Sequence, residues 1–300
     1  MDLVCIQRSN PDRIEVLTRD ERWLATFTLG CYTVTLDGPE RTFEEKHKEE
    51  RVCVTHQTWV RTAPGPFVPP LDERWLTLAL AANESGMPDV LALAGQYLKG
   101  APDHFLGDLR VAGSAHYGPL GKDDKPQEGS DFNDYLGLPW LYPRDGHDAP
   151  ERSQLSCLDC SGYMRMVWGY RHHLPGAGYP DQIPVSLAPR GGTTLPRRAF
   201  EQAAHGPGVT VLPDSGKQIS TKLIEAYVSI GDLVFFDASA DDGARIDHVG
   251  MYLGCDTEGD HRFISSRKTI NGPTFGNVGG KSILNESGYY ARAFRGTRRL

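Results

Sequence analysis

Long apolar runs are missing from this chain. Mean hydropathy is −0.42, and no stretch approaches the roughly 20 apolar residues that a membrane-spanning helix needs. Residues Met1 to Asn10 lack a basic segment leading into an apolar one, so no secretory leader is expected. That pattern implies a cytoplasmic protein, with export by another route left open. Positive charge is also scarce. Thirty-two Lys and Arg stand against 39 Asp and Glu, a net charge of −7. This balance argues against nucleic acid or an anionic membrane as partner. Arg292, Arg295, Arg298 and Arg299 form a local exception, read as a solvated C-terminal edge. Cysteine is sparse too. Six in 300 residues are too few for a disulfide framework and suit a reducing compartment. Cys157 and Cys160 make one C-x-x-C, but no second pair exists to complete a zinc site. His172-His173 reads as a helix-end pair in favourable contact with the dipole. Neither metal nor cofactor is expected, and there is no internal repeat.

What is present is enough for a packed core. With 39% hydrophobic residues over 300 positions, the chain allows one large domain or two medium ones. Its first part alternates strand-like runs and turns. Residues 23–29 and 31–36 read as strands split by Gly30, with Asp37-Gly38 closing the second. Residues 51–55 and 58–61 read as another strand, bulged, and residues 72–83 and 88–98 as helices. Residues 117–130, rich in Gly, Pro and Asp, read as an exposed linker. The expected organisation is a small α+β domain over 1–115 and a second domain over 116–300. In the second, Pro196–Ala204 suits a short helix, and residues 233–236, 248–253 and 262–266 suit strands. Alternation turns His248, Gly250 and Tyr252 to one face and Val249, Met251 and Leu253 to the other.

The chemistry concentrates at Asp159-Cys160-Ser161-Gly162. Apolar Tyr163, Met166, Val167 and Tyr170 follow at helical spacing. Asp159 is a good N-cap residue, so Cys160 falls in the first turn of a helix. Unpaired N–H groups and the helix dipole there favour thiolate. Further along comes Asp247-His248-Val249-Gly250-Met251-Tyr252-Leu253-Gly254. A cysteine opening a helix and a histidine opening a strand supply nucleophile and base for covalent acyl transfer. Gly250 beside His248 reads as room for a substrate or for Cys160.

Four segments in order resemble the NlpC/P60 cysteine peptidases: Gly137-Leu138-Pro139-Trp140, Asp159-Cys160-Ser161-Gly162, Gly231-Asp232-Leu233-Val234-Phe235-Phe236, and His248 to Gly254. The resemblance covers about residues 130–300. It implies a papain-like α+β core, a Cys-bearing helix packed on an antiparallel sheet bearing His. It implies Cys160 as nucleophile and His248 as base. The third, imidazole-orienting position falls on Ser265, where the family commonly has His, Asn or Gln. Asn271 and Asn277 on the following loop are alternatives, and His261 lies before the strand. The resemblance places Asp159, Trp140 and Ser161 at the substrate. Trp140 stands where the family often has tyrosine.

The function these residues imply is a thiol-dependent amidohydrolase cleaving a peptide amide, of the cell-wall type with a γ-linked acidic residue. An alternative keeps the acyl-enzyme and passes the acyl group to an amine. A third reading is a non-catalytic peptide binder. The partner is a small peptide or peptide-like substrate.

Overall fold

The computed structural model describes residues 2–172, 174, 182–239 and 243–300. His173 lies outside them. Five strands open the chain: β1 (Leu3–Arg8), β2 (Arg13–Thr18), β3 (Trp23–Thr28), β4 (Thr33–His47) and β5 (Glu50–Thr62). They pair as an antiparallel meander in chain order. β4 runs well past Asp37-Gly38, which is a register shift within the strand and not its end. Gly38 is needed there for close approach. A Cβ on it would lie 2.5 Å from the Trp59 ring. The helices α1 (Glu73–Glu84) and α2 (Val90–Gly95) start where Asp72 and Asp89 accept hydrogen bonds from Trp75 N and Ala92 N, the expected role of an N-cap carboxylate. α1 buries Trp75, Leu76 and Ala79 against Val34, Leu36 and Trp59 of the meander.

The middle of the chain makes two small hairpins around a short helix. These are β6 (His104–Leu106) with β7 (Leu109–Ala112), α3 (Phe132–Leu136), and β8 (Trp140–Tyr142) with β9 (Gly146–Asp148). The expected exposed linker 117–130 is exposed along 122–125, but its ends are not. Tyr117 and Ser130 are buried, because both ends pack beside the next helix. That helix, α4 (Cys160–Arg165), continues as a π-helical turn to Arg171. Residues 160–169 are all buried. The segment is enclosed on every side, beyond the one-sided face that spacing suggested.

The remaining elements are α5 (Ala199–His205), β10 (Val209–Leu212), α6 (Thr221–Tyr227), β11 (Leu233–Phe236), β12 (His248–Cys255), β13 (His261–Arg267), β14 (Gly272–Thr274), α7 (Tyr289–Ala293) and β15 (Phe294–Arg299). The six strands form one antiparallel sheet, ordered β10-β15-β11-β12-β13-β14. The two faces of β12 divide as alternation requires. Val249, Met251 and Leu253 share a core cluster with Cys160, Tyr163 and Val167 of α4. Tyr252 packs with Phe236 and Phe263 in another.

Of the C-terminal arginines, Arg292 is exposed and Arg295 half-buried, but Arg298 and Arg299 are not a solvated edge. β15 lies inside the sheet between β10 and β11. Arg298 and Arg299 are buried. Arg299 Nε is 2.8 Å from Asp232 Oδ1, and its Nη1 donates to Thr28 of the meander at 3.0 Å. Arg298 donates to the Ala203 and Gly206 carbonyls. A buried guanidinium is tolerated when such partners satisfy it.

The meander and the C-terminal sheet share one core. Tyr32, Val52, Val54 and Val60 lie in the cluster that contains Cys160 and Val249. Thr33 N donates to the Leu300 carbonyl at 2.7 Å. The Glu45 carboxylate accepts from Thr274 Oγ1 at 2.6 Å and Phe275 N at 2.7 Å. The long β4–β5 hairpin thereby grips the loop after β14.

Candidate active site

Cys160 is the first residue of α4, and the Asp159 carboxylate caps that helix through Gly162 N at 2.7 Å. The helix start is pressed against the chain beside it: a Cβ on Gly162 would lie 2.3 Å from the Ser130 carbonyl. The Cys160 Sγ lies 3.9 Å from the Asp247 carbonyl oxygen, directly before His248. Both Cys160 and His248 line a cavity of about 1080 Å³ with Tyr117, Ser161, Arg267 and Tyr290. His248 opens β12. Its ring centroid is 5.7 Å from that of Phe236 and 5.6 Å from that of Tyr290. Its Nε2 is buried and, among the described residues, has no hydrogen-bond partner. An unpaired buried imidazole nitrogen is costly, and here it sits in the wall of a cavity that also holds a thiol.

The electrostatics reverse one expectation. Burial, with the negative charges of Asp159 and Glu128, pushes the Cys160 thiol well above its ordinary range. Burial, together with the Arg267 and Lys268 charges, pushes His248 down to about 3 despite the opposing pull of Asp159. Both shifts favour the neutral thiol and the neutral imidazole. The helix start does favour thiolate, but the Asp159 carboxylate occupies that positive end and desolvation outweighs what remains. A neutral imidazole is still the form that can accept a proton.

The other sequence-derived positions separate. Asp159 is 1% exposed, and its carboxylate is already engaged. It pairs with Arg197 Nη2 at 2.7 Å and accepts from Ser161 Oγ at 3.1 Å and Gly129 N at 3.2 Å. Burial alone raises its pKa, but Arg197 and these hydrogen bonds hold it below the usual carboxylate range. Its place is under the helix start, with no oxygen left for a substrate amine. Ser161 does line the cavity, and its hydroxyl also accepts from Arg197 at 2.8 Å. Trp140 lies elsewhere. It packs on Phe132 and Tyr170 and lines a separate cavity of about 270 Å³ with Tyr32 and Gln182. It is not among the residues that line the cavity holding the thiol.

Ser265 is buried on β13, but its hydroxyl accepts from Arg267 Nε at 3.1 Å and leaves His248 Nε2 unpaired. The alternatives are engaged as well. Asn271 Oδ1 accepts from Tyr117 N, Asn277 Oδ1 from Arg262, and His261 Nδ1 meets the Tyr252 hydroxyl at 2.7 Å. Gly250 does not open space for substrate. A Cβ there would lie 2.7 Å from the Ile264 carbonyl and 3.1 Å from Ser265 Cβ, so its smallness lets β13 approach.

Four participants escaped sequence reasoning. Tyr117 lies in the supposed linker, and burial and the neighbouring Cys160 push its phenol up. Arg197 precedes α5. Tyr290 sits on α7. Arg267 follows Phe263 and Ser265 at period two, the one signal by which it was within reach. Cys157 is a free buried thiol pushed up to about 11 by burial. Among the described residues no cluster of three His, Cys, Asp or Glu could hold a metal ion, and no helix is long and apolar enough to cross a membrane.

A helix-borne thiol and a strand-borne imidazole line one cavity, the two kinds of group that covalent acyl transfer uses. Residues 149–294 match the NlpC/P60 family. The C-terminal half of this chain is thus an NlpC/P60 domain, from a family that generally comprises cysteine peptidases and amidases. No curated protein matches the chain to add a second comparison.

Proposed function

We propose that the protein is a thiol-dependent peptidase or amidase that cleaves a peptide amide through an acyl-enzyme on Cys160. The supporting observation is the shared cavity, which the Cys160 thiol and the His248 imidazole both line. His248 takes the Sγ proton as sulfur attacks the amide carbonyl. N–H groups at the start of α4 stabilise the oxyanion. The imidazolium then protonates the leaving amine, the C–N bond breaks, and the acyl group stays on sulfur. Water, deprotonated by His248, releases the acid. Because both shifts favour the neutral forms, proton transfer accompanies attack and does not precede it. The family and the cavity size suit a small peptide, and a γ-linked acidic residue of the cell-wall type is the proposed acyl donor. Ser161 lies at the cavity wall, and Arg197 holds it in place through the same ion pair that holds Asp159.

The test is intact-mass analysis after rapid quenching with a γ-glutamyl dipeptide. A mass increase on Cys160 that is absent in Cys160→Ala supports the reading. Turnover by a folded Cys160→Ala protein ends it. Product analysis with and without added amine separates hydrolysis from transfer to an amine.

A further inference from the structure

Arg267 is 1% exposed, yet among the described residues no carboxylate pairs with it. Its guanidinium donates to Ser265 Oγ at 3.1 Å, the Gly280 carbonyl at 2.5 Å and Ser282 Oγ. All three acceptors are neutral. Three bonds leave two of the five N–H donors of a guanidinium. Arg165 pairs with Asp131, Arg262 with Asp256 and Arg299 with Asp232. Arg61 and Arg298 are buried too and donate to Asn83, Thr210 and backbone carbonyls, but neither lines the cavity that holds Cys160. The acid whose charge reaches Arg267, Glu45, spends its oxygens on Thr274 and Phe275. Lys268, next along the chain, is paired with Glu128 at 3.0 Å.

An uncompensated buried charge is expensive unless something pairs with it. Arg267 lines the same cavity as Cys160 and His248. Its guanidinium carbon lies 4.2 Å from the ring centroid of Tyr290, which stands 5.6 Å from His248. The guanidinium is held over the Tyr290 ring and by three hydrogen bonds. That is the fixed fork that suits a carboxylate. We propose that Arg267 is the anchor for a free carboxylate on the substrate, next to the amide that Cys160 attacks.

This rests on the proposed peptidase reading and deepens it. It also gives Arg267 a second effect. The cation suppresses protonation of His248 in the empty site. The other groups facing the imidazole are Lys268, Asp159, Cys160 and Tyr290. A bound carboxylate offsets the Arg267 charge and so weakens the second cause, after burial, that holds His248 down. Recognition and activation are then linked through one side chain.

The test uses two isosteric γ-glutamyl dipeptides, one with a free α-carboxylate and one with an α-carboxamide. Each is titrated for protection of Cys160 against iodoacetamide, read by peptide mapping. In the unaltered protein the carboxylate should protect at about ten- to hundredfold lower concentration, the scale of a charge-assisted hydrogen bond. Arg267→Gln should bring the ratio to about one, and Arg267→Lys should keep part of it. Equal protection by the two dipeptides, protection by neither, or a preference that survives Arg267→Gln overturns the proposal. The first two outcomes need no variant, so misfolding cannot hide the answer. Turnover is scored separately. Equal cleavage of both dipeptides removes the anchor and leaves the peptidase reading standing, whereas absence of any Cys160 acyl-enzyme counts against the peptidase reading itself.

Discussion

The shifts of Cys160 and His248 toward their neutral forms lead to two predictions about single residues. The buried thiol is held above its usual range, so iodoacetamide should modify Cys160 slowly at neutral pH and faster as pH rises. An alkylation rate that is flat between pH 6 and 8 would show a preformed thiolate. His248 makes a prediction about stability. Its folded-state value of about 3 lies below its unfolded value of 6.5. The native state therefore binds fewer protons than the unfolded chain, and the contribution is fully present above pH 6.5 and is lost as pH falls toward 3. Between pH 7 and pH 4 the loss from this one group is about 3 kcal/mol. Urea unfolding of the parent protein and of His248→Gln across that range should differ by roughly that amount, with the variant the less pH-sensitive. Parallel curves would mean that His248 is not buried as a neutral ring.

At the scale of elements, the start of α4 depends on a buried ion pair and not on a cap alone. Asp159 satisfies Gly162 N and neutralises Arg197, which also holds Ser161 and the Gly129 carbonyl. Asp159→Ala removes the cap and leaves the buried Arg197 guanidinium with only the more distant Asp131 carboxylate, at 3.5 Å. It should cost about 3–5 kcal/mol of stability, measured by denaturant midpoint at constant slope. A loss below about 1 kcal/mol would place Asp159 at the substrate after all. On β13, Ser265 meets Arg267 and not the imidazole. Ser265→Ala should then disturb preference for acidic over neutral substrate more than it disturbs the pH dependence of turnover. A shifted pH profile with unchanged preference would restore Ser265 as the imidazole's partner.

For the whole molecule, the N-terminal sheet and the cavity are mechanically joined. Val52, Val54 and Val60 share the core of Cys160. Glu45 holds the Thr274 hydroxyl and Phe275 N, and the chain beyond supplies the Gly280 and Ser282 acceptors of Arg267. Glu45→Ala should loosen this loop by about 1–3 kcal/mol, the cost of leaving charge-assisted donors unpaired. Faster hydrogen exchange confined to residues 272–282, with affinity for an acidic dipeptide lowered, is the expected result; unchanged exchange there breaks the link. A fragment of residues 116–300 should be poorly folded alone, since it exposes the apolar surface that β5 covers.

The sequence by itself determined the local chemistry. Asp159 had to cap, Cys160 had to open the helix, and His248 had to begin a strand, because capping and period-two or period-3.6 patterning act over a few residues. Those rules also located β11, β12, β13 and α1. They failed where long-range partners decide. The arginines at 298 and 299 looked solvated because charge is normally solvated, and only Asp232, Thr28 and the carbonyls brought near by folding allow them inside the sheet. Tyr117 looked like linker because its neighbours are polar, yet it is buried and lines the cavity that holds the thiol. Trp140 shares a sequence segment with the site but turns into another cavity. The protonation state of the thiol and imidazole was equally out of reach, since burial sets it more than the helix dipole does. Charge and solvent exclusion depend on what surrounds a group in space, and that is fixed only when distant segments pack.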